Sequence, residues 1–237
     1  MDAQRGLLLS VRGEAQVTVA PDFVVLFCPI ALTRNSKAEA LADSAAALRR
    51  LTTDLASLGA VALTADTGHA ALTWSARSAT TWEEVQHDKV TGQSEPTGKV
   101  NATVDVQITA RAFGALDVLG AHLSTHEDVH VRHVSWRVDA ENPGWARVRA
   151  EAIHAAIGKG RDYAAALGAA VQEVLHVADA GLLDGGAGQV APGHALSATL
   201  SRGGAPPDVP SLDPEPQVLS ATIDARLQAT AVVVTES

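Results

Sequence analysis

The stretch WARVRAEAIHAAIGKGRDYAAALG, Trp145 to Gly168, constrains this chain more than any other. Its length and alanine content predict a long helix. One uninterrupted polar stripe runs through Arg147, Glu151, His154, Gly158, Arg161 and Asp162 at helical spacing, so the rest of the circumference is expected to be covered. A helix so largely apolar has to lie on a sheet, which makes the strands before and after it its platform.

Those strands show as period-two alternation. Leu7 to Val19 sets Val11, Ala15, Val17 and Val19 on or near one face, with Arg12, Glu14, Gln16 and Thr18 between them. Pro21-Asp22 reads as a turn into the more continuously apolar Phe23 to Thr33, and the two are expected to form an opening antiparallel pair. Asn35-Ser36 offers an N-cap, with Glu39 in the early helix. Leu41, Ala45, Leu48, Leu51 and Leu55 follow at spacings of three and four, and Gly59 closes the helix after Leu58. Val61 to Trp74 reads as a strand. The clearest alternation is Val100, Ala102, Val104, Val106, Ile108. A short helix over Phe113 to Thr125 and strands over Val129 to Val138, Val171 to Asp179 and Val218 to Val234 complete the pattern.

The fold class is therefore α+β, with antiparallel sheets backed by helices. Strand, helix, strand occurs twice, within half-units 7–74 and 99–235 of a single domain 7–235, and the long helix lies in the second half. Two segments interrupt the scaffold. Residues 75–98 form a polar excursion, and residues 181–216 hold seven glycines and six prolines, long for a structureless connection inside a compact domain.

Composition narrows the function. A formal net charge of −9 opposes non-specific attraction to nucleic acid or anionic lipid. The one cysteine, Cys28, sits inside FVVLFCPI, where a small buried side chain fits, and no basic neighbour or helix start is present to activate it. The apolar core Leu7 to Leu9 is too short for a signal peptide, and no stretch approaches the roughly 20 apolar residues of a membrane span, so a cytoplasmic protein without a membrane span is expected.

Four histidines crowd into twelve residues: His122, His126, His130 and His133. On a helix His122 and His126 would share a face at i, i+4, a geometry that binds zinc when a third ligand approaches. Against this, histidines near a helix end complement the carbonyl pole of the dipole, and His130 and His133 point to opposite faces of an unbulged strand. The acidic pairs Glu83-Glu84 and Glu127-Asp128 and the run Asp213, Glu215 adjoin no nucleophile motif. Neither G-x-S-x-G, a P-loop nor G-x-G-x-x-G occurs, and the glycines of Gly185-Gly186-Ala187-Gly188 lack the strand-to-helix setting of a phosphate cradle. No cofactor is implied. Arg149 and Lys159 fall on the otherwise apolar side of the long helix, where a long stem can snorkel past the sheet edge or the charge can pair with a carboxylate, the functional alternative being an oligomer interface or an anionic-ligand contact. Trp82 lies in the polar excursion and is a candidate exposed contact.

Three stretches resemble the SIMPL-domain family: VRGEAQVTVAPD at Val11 to Asp22, the alanine-rich helix ending YAAALG at Tyr163 to Gly168, and VLSATIDARL at Val218 to Leu227 after a Pro-rich loop. The chain departs from the family pattern at Ala15, Phe23 and Gly98-Lys99, and the short apolar core Leu7 to Leu9 leads to the expectation that no export signal precedes the domain. The resemblance implies an α+β fold, large homo-oligomers in some relatives, and links to stress tolerance or protein interaction. It implies no catalytic residue. The expectation is a non-enzymatic protein acting by self-association or by binding a protein partner through 75–98 and 181–216. The alternative is a small-ligand or metal-binding protein using the His122–His133 cluster.

Overall fold

A computed structural model describes residues 6–87, 93–183 and 212–231. In chain order the elements are β1 (Leu7–Val19), β2 (Phe23–Phe27), β3 (Ile30–Arg34), α1 (Lys37–Ser57), β4 (Val61–Ala62), β5 (Leu72–Ala76), β6 (Thr80–His87), β7 (Ser94–Val104) and β8 (Val106–Ala110). A 3₁₀ turn at Phe113–Ala115 leads into α2 (Leu116–Ser124), followed by β9 (His133–Arg137), α3 (Pro143–Ala166), β10 (Val171–Asp179) and β11 (Gln217–Ala229). The chain divides into two compact units: Met1–Ala20 with Ala140–Ser201 and Pro216–Ser237, and Pro21–Asp139 with Arg202–Glu215. They interleave along the chain, so neither coincides with 7–74 or 99–235.

The first unit is a three-stranded antiparallel sheet in the order β1-β11-β10, with α3 on one face. β1 and β11 pair without a slip from Leu7↔Ala229 to Val19↔Gln217. Their alternation puts Leu9, Val11, Gly13 and Val17 with Leu219, Ile223, Ala225 and Leu227 on the buried face. Asn142 caps α3 by accepting the Gly144 N–H, and Pro143 occupies the first turn, where its missing donor costs nothing. Only one stripe of α3 is buried: Gly144, Val148, Ala152, Ala156, Gly160 and Ala164, every fourth residue and nearly all small. This corrects the expectation of a helix covered around most of its circumference. Alanine there marks close approach to the sheet along one line, and Tyr163 and Leu167 remain exposed.

In the second unit a five-stranded sheet runs β4-β5-β8-β2-β9 and a three-stranded sheet runs β3-β7-β6. The apolar run Phe23 to Thr33 is two strands, not one. Cys28-Pro29 breaks it, and its halves pair in different sheets, β2 with β8 and β9, β3 with β7. The opening antiparallel pair is likewise corrected: β1 pairs with β11. Pro21-Asp22 is no hairpin turn. The Asp22 N–H donates to the Arg137 carbonyl and its carboxylate accepts the Asp139 N–H, which directs Phe23 to β9 instead.

Ser36 caps α1 by accepting the Glu39 N–H, as expected. The buried stripe of α1 is Ala40, Ser44, Ala47, Leu51 and Leu55, so the expected Leu41 and Ala45 face outward. The helix meets its sheet through alanines, and leucine was the wrong marker for the first two turns. Leu26, Ile30, Leu51, Leu55, Ile108 and Leu119 fill the core of this unit. Val61 to Trp74 is also not one strand, since hydrogen-bonded turns separate the two-residue β4 from β5. The strand expected from Val129 starts at His133.

Candidate functional site

The 75–98 excursion is largely strand. β6 pairs with β7 from Thr80↔Thr103 to His87↔Ser94. β7 is gripped on its other side by β3 only from Val100 to Val104. Beyond that the hairpin is a two-stranded arm. From Trp82 to His87 and from Ser94 to Lys99 its residues are exposed, Glu84 alone being partly covered. Glu83 pairs with Val100 but Val85 pairs with Pro96, so Thr97-Gly98-Lys99 is an inserted loop on β7 opposite Glu84. Gly98 takes φ 77°, which a side chain would resist. The Thr97 hydroxyl donates to Glu84 Oε2 at 2.7 Å and staples the bulge. Trp82 is 50% exposed and Val85 59%. The strand was missed because its polar residues outnumber its apolar ones, although Thr80, Thr81, Trp82 and Val85 are good strand formers.

The four histidines fall in separate settings. His122 lies in the last turn of α2, but that helix ends at Ser124, so His126 is not on its face. His126 faces α1, with a side chain only 10% exposed and Nε2 2.9 Å from Asp54 Oδ2. The approach lies off the line of a hydrogen bond, so the contact is a charge pairing at most. His130 is exposed, and His133 lies against the Phe27 ring with centroids 5.6 Å apart. Among the described residues no three His, Cys, Asp or Glu side chains are placed to hold a metal ion.

An open cleft of about 750 Å³ runs beside His126, lined by Arg49, Arg50, Thr53, Asp54, Thr125 and Asp128 among others. Arg50 reaches Asp128 at 3.4 Å. The hydroxyls of Thr53 and Thr125 donate to the carbonyls of Arg49 and His122, so neither is presented to the imidazole as a nucleophile. Burial pushes the Cys28 thiol up to about 12, which keeps it protonated and unreactive at neutral pH.

In the first unit, Lys159 reaches the edge of β1 and donates to the Arg12 carbonyl at 2.7 Å, while Arg149 is exposed. On the sheet face away from α3, Arg12 forks onto Asp224 directly across the strand pair, at 2.7 and 3.0 Å. The Gly181 N–H also donates to Asp224, and Arg226 donates to the Leu183 carbonyl, so the chain leaving β10 is tied down at its start. The 181–216 loop beyond, residues 184–211, lies outside the described residues.

The Arg12 hydrogen bonds, helped by the Gly181 N–H, hold the Asp224 carboxyl below the usual carboxylate range against the opposing effect of burial. A group depressed in the folded state contributes stability that is complete above its unfolded pKa, about 3.9, and is lost as pH falls through the folded value. Asp224→Asn is therefore expected to lower Tm at pH 7, and the gap to the natural protein should narrow below about pH 4. Thermal melts of both proteins across that range check it.

No helix is long and apolar enough to cross a membrane among the described residues. A search of curated proteins finds no match. The family model described as SIMPL, protein of unknown function (DUF541), matches residues 9–229, from the second residue after the start of β1 to the end of β11, and the chain belongs to that family.

Proposed function

We propose that this protein acts without catalysis, by associating with itself or with another protein through the β6–β7 arm. The arm's exposure on both faces supports the reading. A two-stranded ribbon is marginal in water by itself, and one that presents a tryptophan and a valine to solvent gains most by being covered. The bulge stapled by Thr97 also gives the ribbon a fixed bend instead of a frayed end.

A partner that seats on the arm would draw most of its binding energy from Trp82. Light scattering behind size exclusion on the full chain should therefore give a mass that rises with concentration above 24.4 kDa. Trp82→Ser should weaken that association by about 2 kcal/mol, roughly thirtyfold in Kd. Masses that coincide for the two proteins at every concentration would remove the arm from self-association.

A further inference from the structure

We infer that the arm's partner is a second copy of this chain, and that β6 docks along the outer edge of that copy's β9. This rests on the reading of the arm as an association surface. The acceptor edge is cationic. β9 closes one side of the five-stranded sheet and pairs only with β2 among the described residues. Along it and the residues leading into it, His130, Arg132, His133 and Arg137 are exposed. Among the described residues no carboxylate lies within ion-pair distance of Arg132 or Arg137, and the aspartates that bracket the run, Asp128 and Asp139, are engaged by Arg50 and Arg111. The arm carries the opposite sign: Glu83, Glu84 and Glu95 against Lys99.

An open edge offers main-chain donors and acceptors to any extended strand, so charge decides which strand it takes. Opposite charges facing each other across a strand pair favour it, and like charges oppose it. Pairing β6 on its own copy about a two-fold axis, with Trp82 against Val85, would set Glu83 against Glu84. The other apolar edge, β10, exposes Val174, Leu175 and Val177, but two slips in its pairing interrupt it and it carries Glu173 and Asp179. β9 is regular in its pairing with β2, and its charge complements the arm. Because donor and acceptor are different surfaces, the contact is head-to-tail and each copy can both give an arm and receive one.

The test uses two full-length variants, Glu83→Lys with Glu84→Lys, and Arg132→Glu with Arg137→Glu, checked for native circular dichroism. Each alone is expected to self-associate at least tenfold more weakly than the natural chain. An equal mixture of the two should recover association, since the reversed arm of one meets the reversed edge of the other. Self-association of the arginine variant at natural strength overturns the β9 pairing and leaves the arm reading standing, as does failure of the mixture while both variants are folded. A natural chain that stays monomeric at every concentration overturns the pairing and, with it, self-association through the arm.

Discussion

Gly13→Ala is expected to destabilise the protein by about 3 kcal/mol, at the upper end of what overpacking costs. A β-carbon at Gly13 would fall inside the van der Waals contact of the Ala152 carbonyl oxygen and the Ala156 amide nitrogen, and 2.8 Å from the Ala156 β-carbon. Two of those three atoms are helix backbone, so no side chain can rotate away and α3 must lift from β1. Alanine's advantage over glycine inside a strand, roughly 0.5–1 kcal/mol, does not offset this. Urea titration should show a lower midpoint with little change in slope. An alanine variant within 0.5 kcal/mol of the natural protein, about the scatter of surface substitutions, would mean that helix and strand are not in backbone contact.

A second large effect lies farther along the same helix. Leu227 is fully buried, and Leu227→Ala should cost about 2–5 kcal/mol through lost transfer energy and the cavity left behind. Gly160 faces it: a β-carbon there would collide with Leu227 Cδ1. Gly160→Ala alone is therefore expected to destabilise by about 1–3 kcal/mol, despite alanine's better helix propensity. In the double variant the added methyl enters the space the leucine gave up. The two losses should then sum to less than their separate values, with a coupling of about 1 kcal/mol or more. Strict additivity in denaturant unfolding would mean that the two residues do not meet.

These glycines show what was legible in the sequence and what was not. Alternation over Leu7 to Val19 located β1 to the residue, because one face of that strand is buried and the other wet. The VRGEAQ stretch marked Gly13 as part of a family pattern, but period and composition are blind to a contact with a helix more than 130 residues away. The same blindness hid the partner of β1. Pro21-Asp22 looked like a hairpin turn, and only the long-range bonds of Asp22 to Arg137 and Asp139 show the strand passing into another sheet. On α3 the alanine content alone predicts a broad apolar surface, whereas small residues at every fourth position mark one line of close approach.

At the candidate site, Trp82 was identified from an aromatic residue standing in polar surroundings, and its exposure fits that reading. The strand that carries it was missed, since a ribbon uncovered on both faces has no buried side to impose a period of two. Lys159 reaches over the β1 edge as a snorkelling side chain would, while Arg149 stands exposed. His122 and His126 match a metal spacing only on a helix that continues through both. The chain leaves α2 at Ser124 and carries His126 to Asp54 instead. The Arg12–Asp224 pair joins the first and last strands, and no local motif announces such a pair.

The β6–β7 arm is expected to be covered by a partner copy when the protein is at work. Hydrogen exchange of the arm amides, Trp82 to His87, Ser94, Glu95 and Thr97 to Lys99, should be measured above and below the concentration at which light scattering shows association. Exchange at these positions that is fast in the monomer and slowed on association, with the core strands β2 and β8 unchanged, is the expected result. Equal exchange in the arm at both concentrations, while the mass rises, would place the contact elsewhere on the chain.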